Sequence, residues 1–124
     1  MAATIRLTTN LEISGSTAQL PAAARTGSVA QIGADVGSDT QDIITASDSA
    51  IAVPASVTGD RYLEVVNLDT TNYIQLSNAT GGSFTGGVFS KVVAGTSVLI
   101  QPTGAIYAKA NGATVRIQFR AIEA

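Results

Sequence analysis

The side chains able to do chemistry in this chain are nine carboxylates, seven Lys or Arg, three Tyr and the hydroxyls; Cys, His and Trp do not occur. That excludes thiol nucleophiles, disulfides, imidazole bases, Ser-His-Asp triads and Cys/His zinc sites together. Glu12, Glu64 and Glu123 are the only glutamates, and a pair of carboxylates at the right separation can hydrolyse a glycosidic bond. Nothing in the spacing brings two of them together, and with aromatic residues at 5% the chain lacks the flat platforms on which sugars stack. Asp35, Asp39, Asp42 and Asp48 offer the oxygens a Ca²⁺ ion takes, but their spacing fits no Ca²⁺ loop, and turns use Asp routinely. The glycine-rich GGSFTGG at Gly81 to Gly87 lacks the Lys-Ser/Thr and the following helix of a phosphate cradle, so it reads as a hairpin or crossover loop. The expectation is a protein without catalytic residues, cofactor or metal.

Charge placement carries more information. Between Thr26 and Asp60 lie Asp35, Asp39, Asp42, Asp48 and Asp60 with no intervening base, whereas between Thr70 and Ile122 lie Lys91, Lys109, Arg116 and Arg120 with no acid. Either the two signs emerge on different faces and orient a partner, or they neutralise one another within the subunit. Arg6, Phe84, Lys91, Lys109, Arg116 and Arg120 are the candidate partner-binding residues. Tyr62, Tyr73 and Tyr107 sit in strand-like runs, where a ring in the core with its hydroxyl at the rim competes with an interface role. A net charge of −2 opposes a broad grip on nucleic acid. The amino terminus MAATIRLTTNLEISG alternates instead of running apolar, so neither a signal peptide nor a membrane span is expected.

The elements that must position these residues are strands. From Ala3 to Ile13, Ile5, Leu7, Thr9, Leu11 and Ile13 fall on one face of an extended chain and Arg6, Thr8, Asn10 and Glu12 on the other. Residues 1–17 are thus a strand that closes the fold or an arm that adds to a neighbour's sheet edge, with the intramolecular role preferred. Ala18 to Ala24, interrupted by Pro21, reads as loop. Short apolar pieces at Ser28 to Ile32, Asp42 to Ala46 and Ala50 to Val53 are separated by Gly, Ser and Asp. The clearest strands lie in 61–124: Arg61 to Leu68, Asn72 to Asn78, Val88 to Val93, Ser97 to Gln101, Ala105 to Ala110 and Ala113 to Ile122. Asp69-Thr70-Thr71 and Asn111-Gly112 read as hairpin turns, so consecutive strands are expected to pair. A chain of 124 residues suits one domain. The expected fold is all-β, an antiparallel sandwich of jelly-roll type spanning residues 1–124.

The carboxyl-terminal half, from about Tyr62 to Glu123, resembles a recurrent pattern of tailed-phage virion proteins. The residues carrying it are VVNLDTTNYIQL (Val65 to Leu76), GTSVLIQP (Gly95 to Pro102) and AIYAKANGATVRIQF (Ala105 to Phe119). The resemblance implies a small β-sandwich structural component of the decoration or cement kind, seated on the capsid exterior. Its implied partner is the major capsid protein, its implied assembly a homo-oligomer with a trimer favoured, and neither nucleic acid nor membrane is a partner. A tail, adaptor or fibre-base component, or a small carbohydrate- or protein-binding module, is the alternative. The motif is structural and assigns no catalytic residue.

Overall fold

A computed structural model describes residues 4–10, 24–30, 36–53, 61–78, 87–102 and 104–123. The chain divides into two compact units, Met1–Gly33 and Ala34–Glu123. In the first, β1 (Thr4–Asn10) pairs antiparallel with β2 (Ala24–Ala30), from Thr4 opposite Ala30 to Asn10 opposite Ala24. The amino-terminal strand therefore finds its partner within the chain, in a two-stranded sheet of its own. β2 takes in Ala24, where loop was expected; Gln31 and Ile32 lie outside the described residues.

The second unit contains β3 (Val36–Ile43), β4 (Ser49–Ala50), β5 (Arg61–Asn67), β6 (Ile74–Ser77), β7 (Val88–Val92), β8 (Ser97–Ile100), β9 (Tyr107–Ala110) and β10 (Val115–Glu123). They form two four-stranded antiparallel sheets, in the orders β3-β10-β5-β8 and β4-β9-β6-β7, and no helix occurs among the described residues. The all-β, antiparallel sandwich expected from the sequence is the fold of this unit.

Alternation explains the layering, because successive side chains of a strand point to opposite faces. Along β10, Val115, Ile117, Phe119 and Ala121 are buried while Arg116, Gln118 and Arg120 are exposed. Leu63 and Val65 on β5 join them from the same sheet, and Ile74, Leu76, Val92, Ala108 and Ala110 face them from the other. Small alanines on β9 let the opposing sheet's larger side chains fill the space between layers, as interior packing density demands.

Connectivity departs from the hairpins that turn residues signalled. β5 and β6, joined across Asp69-Thr70-Thr71, lie in different sheets, and so do β9 and β10, joined across Asn111-Gly112. Both connections are arches that carry the chain over the end of the sandwich. A turn sequence specifies that the chain reverses; it does not specify whether the reversed strand pairs with its predecessor or faces it across the core. Among the described residues of this unit only β6 and β7 are both consecutive and paired; Gly81 to Gly86, read from the sequence as a hairpin or crossover loop, lie outside the described residues.

Phe119 is the largest side chain at the centre of this core and is 1% exposed, whereas Phe89 on the edge strand β7 is 48% exposed. Phe119→Ala is expected to cost about 3–5 kcal/mol in urea unfolding. Phe89→Ala should change stability by less than about 0.5 kcal/mol.

Candidate functional site

Four connections meet at one end of the sandwich: residues 44–48, 68–73, 93–96 and 111–114. Asn67 organises them. Leu63, Val65 and Asn67 occupy successive inward positions of β5, so alternation drives an amide into the core, where Asn67 is fully buried. Its Nδ2 donates to the carbonyl oxygens of Asn72 (2.9 Å) and Val92 (3.0 Å), and its Oδ1 accepts from the Asp69 N–H (2.9 Å). The reversed amide would set an oxygen against two carbonyls, so the network fixes its orientation. The Asn67 backbone N–H donates to Thr96 O (2.9 Å) and its carbonyl accepts from the Gly95 N–H (3.1 Å). One residue thus ties β5, the arch that follows it, the end of β7 and the 93–96 turn.

The arch is fastened again by Asp69, whose Oδ1 accepts from the N–H groups of Thr71 (2.6 Å) and Asn72 (2.8 Å). Those donors, Asn72 foremost, hold the Asp69 carboxyl below the usual carboxylate range. Leu68 N–H donates to Arg116 O (3.0 Å) and Asn111 N–H to Tyr73 O (3.0 Å), joining both arches. Gly112 takes φ +81°, a conformation that favours glycine, and an added Cβ would lie 2.6 Å from Asn72 Oδ1, so the Asn72 side chain would have to shift as well. Ile44, Leu68 and Val93 are exposed large aliphatics on this pinned end.

Of the six candidate partner residues, Arg6 lies on β1 opposite Ser28, and Phe84 lies outside the described residues. The other four divide between two surfaces. Arg116 and Arg120 point outward from β10, where each meets an acid on a neighbouring strand. Arg116 Nε donates to Asp42 Oδ1 (2.9 Å), and Arg120 Nε donates to Glu64 Oε1 (2.8 Å). The Arg116 guanidinium holds the Asp42 carboxyl below its ordinary range, and Asp42 raises the guanidinium in turn. For these two arginines, opposite charges lie side by side in one sheet.

Lys91 and Lys109 point outward from the other sheet. Both are opposite Gln75, Lys91 on β7 and Lys109 on β9. The Lys91 ammonium sits 4.0 Å above the centre of the Tyr73 ring. Tyr107 shares this outer face two residues from Lys109, and Tyr62 takes an outward position on β5, so alternation places both rings outside the core, a choice the sequence had left open.

The acidic positions are scattered among structural tasks. Asp39 accepts from the Thr40 N–H (2.8 Å), Asp42 and Glu64 hold arginines, and Asp69 holds its arch. Among the described residues no three His, Cys, Asp or Glu side chains gather as metal ligands. Asp35, Asp60 and Glu12 lie outside the described residues. No family model, curated protein or solved structure matches this chain. The sequence reading missed Asn67, although an Asn at the third inward position of an apolar alternation, just before LDTTN, is the signal that marks it.

Asn67→Ala leaves several buried groups without partners and is expected to cost about 3 kcal/mol, taking roughly 1–3 kcal/mol per unsatisfied group. In Asn67→Asp the carboxylate opposes two carbonyls, which raises its pKa in the folded state. Its stability deficit, measured by urea midpoint against wild type, should therefore shrink as pH falls through that raised value.

Asp69 behaves oppositely. Its lowered folded pKa contributes stability that is present above the unfolded value of about 3.9 and is lost as pH falls through the folded one. Asp69→Asn, which keeps an acceptor oxygen, should flatten the acid limb of the stability profile below about pH 4 relative to wild type.

Proposed function

We propose that this protein is a structural component of a tailed-phage virion: a decoration or cement protein that attaches to the major capsid protein on the shell exterior and bridges neighbouring subunits. It acts by contact and not by turnover. The observation that carries this reading is the use to which the described ionisable groups are put. Asp42 and Glu64 hold arginines and Asp69 holds backbone N–H groups, while the loops at one end are tied by Asn67 and present Ile44, Leu68 and Val93 to solvent. A surface of fixed shape with exposed aliphatic side chains favours association, because little conformational freedom is lost on binding.

The strand order adds support. Numbered from β3 as first to β10 as eighth, the sheets read 1-8-3-6 and 2-7-4-5, with every connection except β6–β7 crossing between layers. That order supports a jelly roll, an architecture used by capsid and lectin domains among others. Fold alone does not assign function. The likeness of Tyr62 to Glu123 to phage virion proteins gives the reading its direction, and the separate β1–β2 sheet is an element that an attached structural protein can use as an arm.

Decoration of this kind gains from symmetry. Copies associated as a homotrimer engage three equivalent shell sites, so that each contact after the first becomes intramolecular. An interface of about 1,600 Å² per site is ample for stable attachment.

Particles assembled without this protein are expected to form and package, then to release their contents at a lower temperature than complete particles. Image reconstruction should place its density at many equivalent shell positions, and the purified protein should have a trimer's mass. Density confined to one vertex would indicate a tail or adaptor component, and saturable glycan binding by a monomer would indicate a carbohydrate-binding module. Equal thermal survival of particles with and without the protein would overturn the cement reading.

A further inference from the structure

The two outer faces of the sandwich differ in electrostatic completeness. On the β3-β10-β5-β8 face each described arginine has a carboxylate, Arg116 with Asp42 and Arg120 with Glu64. On the β4-β9-β6-β7 face the strand sequences SA, YAKA, IQLS and VFSKV contain two lysines and no acid. Among the described residues neither Lys91 nor Lys109 has an ion-pair partner.

Edge protection is a sufficient account of Lys91, since β7 is an edge strand and a lysine there discourages unwanted strand pairing. Lys109 differs in position: β9 lies between β4 and β6 in the sheet order, with β4 pairing to it at Tyr107 and Ala108. Both lysines flank Gln75 in one row across three strands, which sets their backbones two strand spacings apart, about 10 Å.

Their surroundings suit a protein partner. Tyr73 lies under the Lys91 ammonium and restrains it, so less freedom is lost when a carboxylate arrives. Between Leu76 and Ser77 the β6–β7 register shifts, from Leu76 opposite Ser90 to Ser77 opposite Val88, which leaves Phe89 as the extra residue and exposes its ring. Re-aiming a side chain is what such bulges do. Aromatic rings are enriched at protein interfaces, and a lysine can lay its apolar stem along such rings while its ammonium reaches a carboxylate. Nucleic acid fits poorly, since the face offers two cations and the chain carries a net charge of −2.

We infer that the outer face of the β4-β9-β6-β7 sheet, through Lys91 and Lys109 on either side of Gln75, docks onto a carboxylate-bearing protein surface. Resting on the function proposed above, that surface belongs to the shell protein.

The test compares wild type with two double variants of equal charge change: Lys91→Gln with Lys109→Gln, and Ser97→Glu with Gln118→Glu on the opposite face. Lys91→Glu with Lys109→Glu serves as the stronger perturbation, and matching thermal midpoints establish that each variant folds. The probes are shells purified without this protein, poly-L-glutamate and a double-stranded DNA oligonucleotide, each at low and high salt. The expected result is at least tenfold weaker attachment to shells and to poly-L-glutamate for both lysine variants, unchanged attachment for the opposite-face variant, and weakening of the wild type by salt. Shell binding by wild type that the lysine variants match would overturn this inference and leave the cement reading standing. No shell binding by wild type would overturn the cement reading, and the poly-L-glutamate comparison then decides the inference by itself. Failure to bind poly-L-glutamate in that case, or DNA bound as tightly as poly-L-glutamate through the same lysines, would overturn it.

Discussion

The buried amide of Asn67 is the constraint on which the sandwich depends. Apolar burial holds two sheets together but is non-directional, so it does not select which strand crosses to which layer. Hydrogen bonds in a water-excluded site are directional, and their loss is costly. By satisfying carbonyls at Asn72 and Val92 and the N–H of Asp69, Asn67 makes the β5–β6 connection an arch at that one position. Asp69 and Gly112 then shape the arches so that they fit against each other. The end of this unit that carries Ile44, Leu68 and Val93 is thereby cross-tied through Asn67 and Asp69.

Much of this architecture was legible in the sequence because alternation survives wherever a strand has one buried face. β10 is the clearest case: Val115, Ile117, Phe119 and Ala121 turn inward and three polar residues turn outward. β3 was not legible. Its residues on the face shared with Ile117 and Phe119 include Gly37, Asp39 and Gln41, so it lacks an apolar period of two. It is a strand because β10 pairs with it, and because the Gln41 side chain bonds Ala50 O and the Ala52 N–H in place of a neighbouring strand. Pairing across such a distance is invisible to local pattern.

The same limit governed the candidate residues. Lys91, Lys109, Arg116 and Arg120 stood out by sign, but sign alone could not sort them. Arg116 meets Asp42 from 74 residues away and Arg120 meets Glu64 from 56, and both pairings follow from a register that only the folded sheet supplies. With the arginines neutralised locally, the charge asymmetry seen along the chain becomes an asymmetry between two faces. Surface pairs such as Arg116 with Asp42, both more than half exposed, add little to stability; their larger effect is to leave one face electrically quiet.

The position of β10 carries a further consequence. β10 sits between β3 and β5, bonded to both, and not at the margin of its sheet. β3 and β5 make no pairing with each other, so during translation both wait for a strand that follows every other strand of this unit. A chain stopped before Val115 holds β3 and β5 without the member that joins them, a species whose fate is aggregation or degradation. The order of the strands thus makes closure of this core a late event in the synthesis of the unit.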